Sequence, residues 1–240
     1  MSIKSYSDLK VKIFADGAEL KGMLEMASKQ WIKGFTTNPT LMRKAGITNY
    51  REFAKSVLHE IKDLPISFEV FSDDFPTMEK QALEISKWGE NVYIKIPVTN
   101  TKQEFSGELI HKLSHQGVKI NVTAIMAPED VSKVCEALQG GAPSNISVFA
   151  GRIADAGIDP LSIMKQSVKQ ANKIQNCEVI WASPRELLNV VQADTIGCHI
   201  ITVTNDILKK IETLGKDLKT FSLETVKMFY NDAVIAGYTI

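Results

Sequence analysis

Short apolar runs alternate with helical patterns from one end of this chain to the other, and that alternation restricts it to folds built on a parallel sheet. Runs suited to strands lie at 11–15, 31–36, 66–71, 91–96, 118–122, 145–149, 178–182 and 199–203. Between them helical spacing covers 19–28, 50–61, 77–88, 102–115, 128–138, 160–172 and 184–193. Asp159-Pro160 and Ser183-Pro184 each offer a capping residue followed by proline in the first turn. Eight β/α units predict a closed (β/α)8 barrel, the TIM barrel, as a single α/β domain over residues 1–240. An open doubly wound sheet is the alternative, and no glycine-rich phosphate fingerprint favours it. The tail at 222–240 reads as a final amphipathic helix, whose Val226, Phe229, Val234 and Ile235 need cover from their own barrel or from a neighbouring subunit.

Charge narrows the classes of partner. Twenty-eight basic residues balance twenty-eight acidic ones, so no overall field draws the chain to nucleic acid or an anionic membrane, and any anion site must be local. No apolar run approaches the roughly 20 residues that span a bilayer. The segment Met1-Ser2-Ile3-Lys4-Ser5-Tyr6 lacks the apolar core of a signal peptide. Cys135, Cys177 and Cys198 form no CxxC pair and are odd in number, which fits a reducing compartment, and a cytoplasmic protein is expected. His59, His111, His115 and His199 are scattered, so no metal site is expected.

In a barrel of this kind the active site is built at the carboxyl ends of the strands, and polar residues recur there. Asp16 ends the first run, Thr37 and Asn38 follow the second, Glu69 lies in the third and Lys95 in the fourth. Asn121 and Thr123 end the fifth, Ser147 and Arg152 flank the end of the sixth, and Ser183 and Arg185 follow the seventh. Lys95 stands in Val92-Tyr93-Ile94-Lys95-Ile96-Pro97, where a charge is costly unless it is paired or chemically useful. Desolvation favours the neutral amine, which can attack a ketone to form a Schiff base. A structural Lys95–Glu69 pair would explain both residues without catalysis. Asp16 with Glu19 can be a capping pair, Asn38 before Pro39 a turn, and Ser183-Pro184-Arg185-Glu186 a capping box. A helix starting at Ser183 would also offer backbone N–H groups to a phosphate, with Arg185 and Arg152 as further donors; a sulfonate or carboxylate would fit equally.

These residues resemble the transaldolases, in particular the short single-barrel transaldolase and fructose-6-phosphate aldolase branch. The most specific pieces are Gly34-Phe35-Thr36-Thr37-Asn38-Pro39-Thr40-Leu41 and Ile94-Lys95-Ile96-Pro97-Val98-Thr99. Asn121-Val122-Thr123, Ser147-Val148-Phe149-Ala150-Gly151-Arg152 and Ala182-Ser183-Pro184-Arg185 follow in the family's order. The resemblance implies Lys95 as the Schiff-base lysine and Asp16 as the acid/base of carbon–carbon cleavage. Glu69 and Thr123 would shuttle protons through a bound water. Asn38 and Ser147 would hold the dihydroxyacetone hydroxyls, with Thr37, Asn121 and Phe149 at the same pocket, and Arg152, Ser183 and Arg185 would bind phosphate. It implies transfer of a dihydroxyacetone unit from fructose 6-phosphate or sedoheptulose 7-phosphate to erythrose 4-phosphate or glyceraldehyde 3-phosphate, without cofactor or metal, in a homo-oligomer. The aldolase branch, which releases free dihydroxyacetone, typically carries glutamine where this chain has Glu69 and tyrosine where it has Phe149. A sulfonated sugar is a further alternative substrate, and a non-catalytic barrel that binds sugar phosphates is another. Pro184 stands where an aromatic residue is usual, and Trp181 is bulky for its position; both lie beside the expected phosphate site.

Overall fold

Eight parallel strands close in sequential order into a barrel: β1 (Lys12–Asp16), β2 (Ile32–Thr36), β3 (Ile66–Glu69), β4 (Val92–Pro97), β5 (Ile120–Ile125), β6 (Ser144–Val148), β7 (Cys177–Trp181) and β8 (Ile200–Thr204), with β8 pairing back onto β1. This computed structural model describes residues 5–240. The closed order excludes the open sheet. All eight expected strands are present, with ends shifted by a few residues; the first four residues of the Met1-to-Tyr6 leader reading lie outside the described residues.

Side chains alternate across each strand, and here the alternation separates two environments. Phe68, Ile94, Ile96, Ile120, Val122, Ile146, Val179 and Ile201 point outward and are wholly buried in the core between barrel and helices. The inward positions are largely polar, interrupted by a small cluster of Phe14, Ile180, Ala182 and Ile200. Gly34 makes room for that cluster: a Cβ there would stand 2.5 Å from the Phe14 ring.

The outer layer is formed by α1 (Leu20–Ala27), α3 (Tyr50–Glu60), α4 (Phe75–Ile85), α5 (Gly107–His115), α6 (Pro128–Leu138), α8 (Leu161–Ala171) and α9 (Leu188–Thr195). Three shorter helices were not expected: α2 (Pro39–Lys44), α7 (Ala150–Asp155) and α10 (Asn205–Leu208). At four to six residues they are too short to show a 3.6-residue period. Two helices start later than their patterns suggest. Residues 98–106 form a loop in which Asn100 Oδ1 accepts from the N–H groups of Lys102 and Glu104, so α5 begins at Gly107. The expected helix at 184 begins at Leu188.

A final helix, α11 (Leu218–Ala236), is capped by Asp217 and ends at Gly237, whose φ of 68° is the left-handed conformation glycine adopts freely. It starts before the expected 222 and buries none of its residues; Val226, Phe229, Val234 and Ile235 are all exposed. The barrel therefore does not supply the cover its apolar positions call for.

At the amino-terminal end of the barrel, His199 Nδ1 accepts the N–H of Val179 at 3.0 Å, while its other ring nitrogen meets Asn172 Oδ1 at 2.8 Å. A backbone N–H can only donate, so this pairing needs the neutral ring. Burial, with a smaller contribution from Lys12, pushes the His199 pKa below its ordinary 6.5, although Glu178 opposes this. A depressed folded pKa stabilises fully above 6.5 and loses that stabilisation as pH falls through the folded value. Melting midpoints measured on the acid side of 6.5 should therefore fall less steeply for His199→Gln than for the unmodified protein; equal slopes would exclude His199 as a source of acid sensitivity.

Candidate active site

A cavity of about 650 Å³ opens at the carboxyl ends of the strands. Lys95 reaches it from β4 while remaining only 5% exposed. The β3–β4 register sets Glu69 beside Lys95, and the lysine Nζ lies 3.1 Å from Glu69 Oε2. Nζ also donates to the carbonyl of Thr37 at 2.9 Å. That carbonyl is held in place from the neighbouring strand, because Thr37 donates both its N–H and its hydroxyl to the Ser67 carbonyl. Tyr50 clamps the Glu69 backbone: its hydroxyl donates to the Glu69 carbonyl and accepts the Glu69 N–H, each at 2.8 Å. Burial pushes the Tyr50 phenol well up, which keeps it protonated for this double role.

Asp16 enters from β1, in register with Thr36 of β2, whose hydroxyl donates to Asp16 Oδ1 at 2.7 Å. Thr36 shares a second hydrogen bond with Thr202 of β8. Burial raises the Asp16 carboxyl above its ordinary 3.8, against the pull of Lys95 and the Thr36 hydroxyl; Glu69 adds to the rise. The result is a carboxylate with enhanced affinity for a proton.

Thr123, Ser147, Phe149, Asn38, Arg152, Ser183 and Arg185 complete the expected set on the cavity wall. The Thr123 hydroxyl is buried without a protein partner, so its hydrogen-bonding capacity is open to whatever the cavity holds. Asn38 Oδ1 caps α2 by accepting the Leu41 N–H, which leaves its side-chain N–H groups as spare donors.

Several expectations are corrected. Thr37 and Asn121 do not line the cavity; both are fully buried behind its wall. Asn121 donates to Ser67 Oγ at 3.0 Å and accepts from Ser147 Oγ at 2.7 Å, so it orients Ser147 from behind. Glu19, not Asp16, takes the cap position of α1, and no side chain bonds there. Ser183 opens no helix: its φ is 60°, a left-handed value for a residue other than glycine, and α9 starts at Leu188. Two backbone donors of that loop are also consumed, since the N–H groups of Arg185 and Glu186 both meet Asn189 Oδ1. Trp181 is turned into the outer core, so its bulk leaves the cavity untouched.

Sequence reasoning missed Thr36, Ser67, Thr202 and Tyr50. Thr36 and Ser67 stand inside apolar runs, and only the pairing of strands far apart in sequence gives them partners. The period of two could have marked Ser67 as sharing the inward face with Glu69. Among the described residues, no group of three or more His, Cys, Asp or Glu side chains is placed to hold a metal ion.

Fold and site together define a class, a (β/α)8 barrel whose strand ends bring an almost fully buried lysine amine and two carboxylates to one cavity. Within that class, the chain belongs to the transaldolase/fructose-6-phosphate aldolase family. The sequence model described as Transaldolase/Fructose-6-phosphate aldolase matches residues 13–237. Curated relatives carry the name "Probable transaldolase". One from a Thermoanaerobacter species is 35% identical over 202 residues, covering 84% of this chain and 89% of that protein. A second, from Dehalococcoides mccartyi, is 33% identical over 84% of this chain and 90% of its own length. A third, from Methanococcus maripaludis, is 34% identical, with coverages of 84% and 89%.

Proposed function

We propose that this protein is a transaldolase that moves a dihydroxyacetone unit from a ketose phosphate to an aldose phosphate through a Schiff base on Lys95. The observation that carries this reading is an amine 5% exposed to solvent, facing a cavity that also presents Asp16 and Glu69. Such an amine can condense with the ketone at carbon 2, expelling water and leaving a protonated imine. Glu69 and the Thr123 hydroxyl flank this step and pass protons to the departing oxygen through a water held between them. Asp16 then takes the proton of the carbon-4 hydroxyl, the bond between carbons 3 and 4 breaks, and its electron pair flows to the imine nitrogen as an enamine forms. The aldehyde leaves. When an acceptor aldehyde enters, the enamine attacks it, Asp16 returns its proton to the new hydroxyl, and hydrolysis of the imine frees Lys95. Neither cofactor nor metal enters these steps.

Fructose 6-phosphate or sedoheptulose 7-phosphate is the proposed donor, and erythrose 4-phosphate or glyceraldehyde 3-phosphate the acceptor. The Asn38 amide and Ser147 hydroxyl contact the dihydroxyacetone hydroxyls, with Phe149 beside them, and Arg152, Ser183 and Arg185 hold the phosphate. Incubation with fructose 6-phosphate, borohydride reduction and peptide mass spectrometry should locate a three-carbon adduct on Lys95. An adduct elsewhere, or none from a panel of ketose phosphates, would overturn the reading. Free dihydroxyacetone formed without acceptor, at the transfer rate, would assign the aldolase activity instead.

Assembly follows from α11. Its exposed apolar positions Val226, Phe229, Val234 and Ile235 have no cover on the barrel, and the proposed cover is another copy of this chain. Deleting 218–240 should lower the molar mass seen by light scattering while preserving the circular dichroism of the barrel. An unchanged mass would remove α11 from the interface.

A further inference from the structure

The loop that carries Ser183 and Arg185 is fastened to α7, which carries Arg152. Gly151 N–H points to the Ala182 carbonyl, and a Cβ at Gly151 would stand 1.5 Å from the Ser183 carbonyl oxygen, so only glycine permits this approach. Arg185 then reaches back across the junction to Asp155 at the end of α7. Its Nε donates to Asp155 Oδ1 at 2.9 Å and its Nη2 to Oδ2. Arg185 lines the cavity and Asp155 does not.

Resting on the phosphate site proposed above, we infer that Asp155 is a positioning residue: it grips the Nε–Nη2 side of the Arg185 guanidinium and so aims the Nη1 end at the terminal phosphate of the substrate. A guanidinium is a rigid fork, so occupying one side leaves the other available and oriented. An unrestrained arginine would lose rotamer freedom each time it met an anion; Asp155 restricts that freedom beforehand. This matters more here because backbone donors are scarce in the loop. Pro184 has no N–H, and those of Arg185 and Glu186 are taken by Asn189. With those donors spent, the aim of the side chains weighs more heavily in anion binding. Asp155 is held below the ordinary carboxylate range chiefly by the Arg185 hydrogen bond, so the grip persists across neutral pH.

Asp155→Asn tests this. KM for glyceraldehyde 3-phosphate should rise about five- to tenfold, as expected for a lost orienting contact at an anion site, while kcat and the KM for unphosphorylated glyceraldehyde hold. Binding of inorganic phosphate, followed by titration calorimetry, should weaken by a similar factor. Asp155→Glu should restore part of the loss. In an Arg185→Lys background, which lacks the planar fork, Asp155→Asn should change KM by less than about twofold. The inference is overturned if both acceptors lose equally, if phosphate binding tightens, or if the two substitutions multiply. Failure of the unmodified protein to bind phosphate or form the Lys95 adduct would instead overturn the transaldolase reading.

Discussion

Lys95→Ala is expected to lower transfer by on the order of 10⁴-fold or more and to abolish the borohydride adduct, because a covalent nucleophile has no partial substitute. Lys95 is the one lysine that lines the cavity among the described residues, so no neighbouring amine can take its place. The fold should survive. Substitution leaves the Glu69 carboxylate and the Thr37 carbonyl without their partner, a loss of about 3–5 kcal/mol if both stayed dry. Both border an open cavity that water can enter, which reduces that cost. Lys95→Arg separates the two roles of the residue. It keeps a cation beside Glu69 but offers a guanidinium that forms no imine, so it should fold and yet fail to transfer. Transfer near the original rate in either variant, measured with fructose 6-phosphate and erythrose 4-phosphate, would eliminate the Schiff-base mechanism.

The barrel was legible because the outward face of each strand is apolar, so short runs rich in Val, Ile and Phe, such as 91–96 and 145–149, stand out against their helical neighbours. Lys95 and Glu69 were conspicuous for the same reason, as charges inside such runs. What remained hidden depended on tertiary proximity. Thr36 and Thr202 come from β2 and β8, far apart in sequence, yet Thr202 meets Thr36, which holds Asp16, only because β1 lies between those strands in the closed barrel. The loop after β7 misled for a local reason. Ser183-Pro184-Arg185-Glu186 has the composition of a capping box, but the approach of Gly151 holds Ser183 at positive φ and displaces the helix start to Leu188. Asn121 carried the right chemistry but is the second residue of β5, not its end, so its side chain meets Ser67 and Ser147 inside the barrel and acts on Ser147 from behind.

Asp16→Asn should move activity and stability in opposite directions. The carboxyl of Asp16 lies above its ordinary 3.8 chiefly because burial disfavours the charged form. A pKa raised on folding means that the folded protein holds the proton more tightly than the unfolded chain. The resulting stabilisation is complete below 3.8 and disappears as pH rises through the raised folded value, so above that value the ionised side chain is a net burden on the fold. Asparagine removes that charge and still accepts the Thr36 hydroxyl through Oδ1. The variant should melt at a higher temperature above the raised folded pKa of Asp16, with the difference shrinking toward acid, while transfer falls by about 10²- to 10⁴-fold for want of the proposed acid/base. In the proposed mechanism imine formation does not require Asp16, whereas cleavage between carbons 3 and 4 does. Borohydride should therefore trap the intact six-carbon donor on Lys95 of the variant, where the unmodified protein yields the three-carbon unit. A three-carbon adduct formed at the original rate would assign the cleavage proton to another group, and a lower melting temperature would mean that the attraction between Asp16 and Lys95 outweighs the desolvation of the carboxylate.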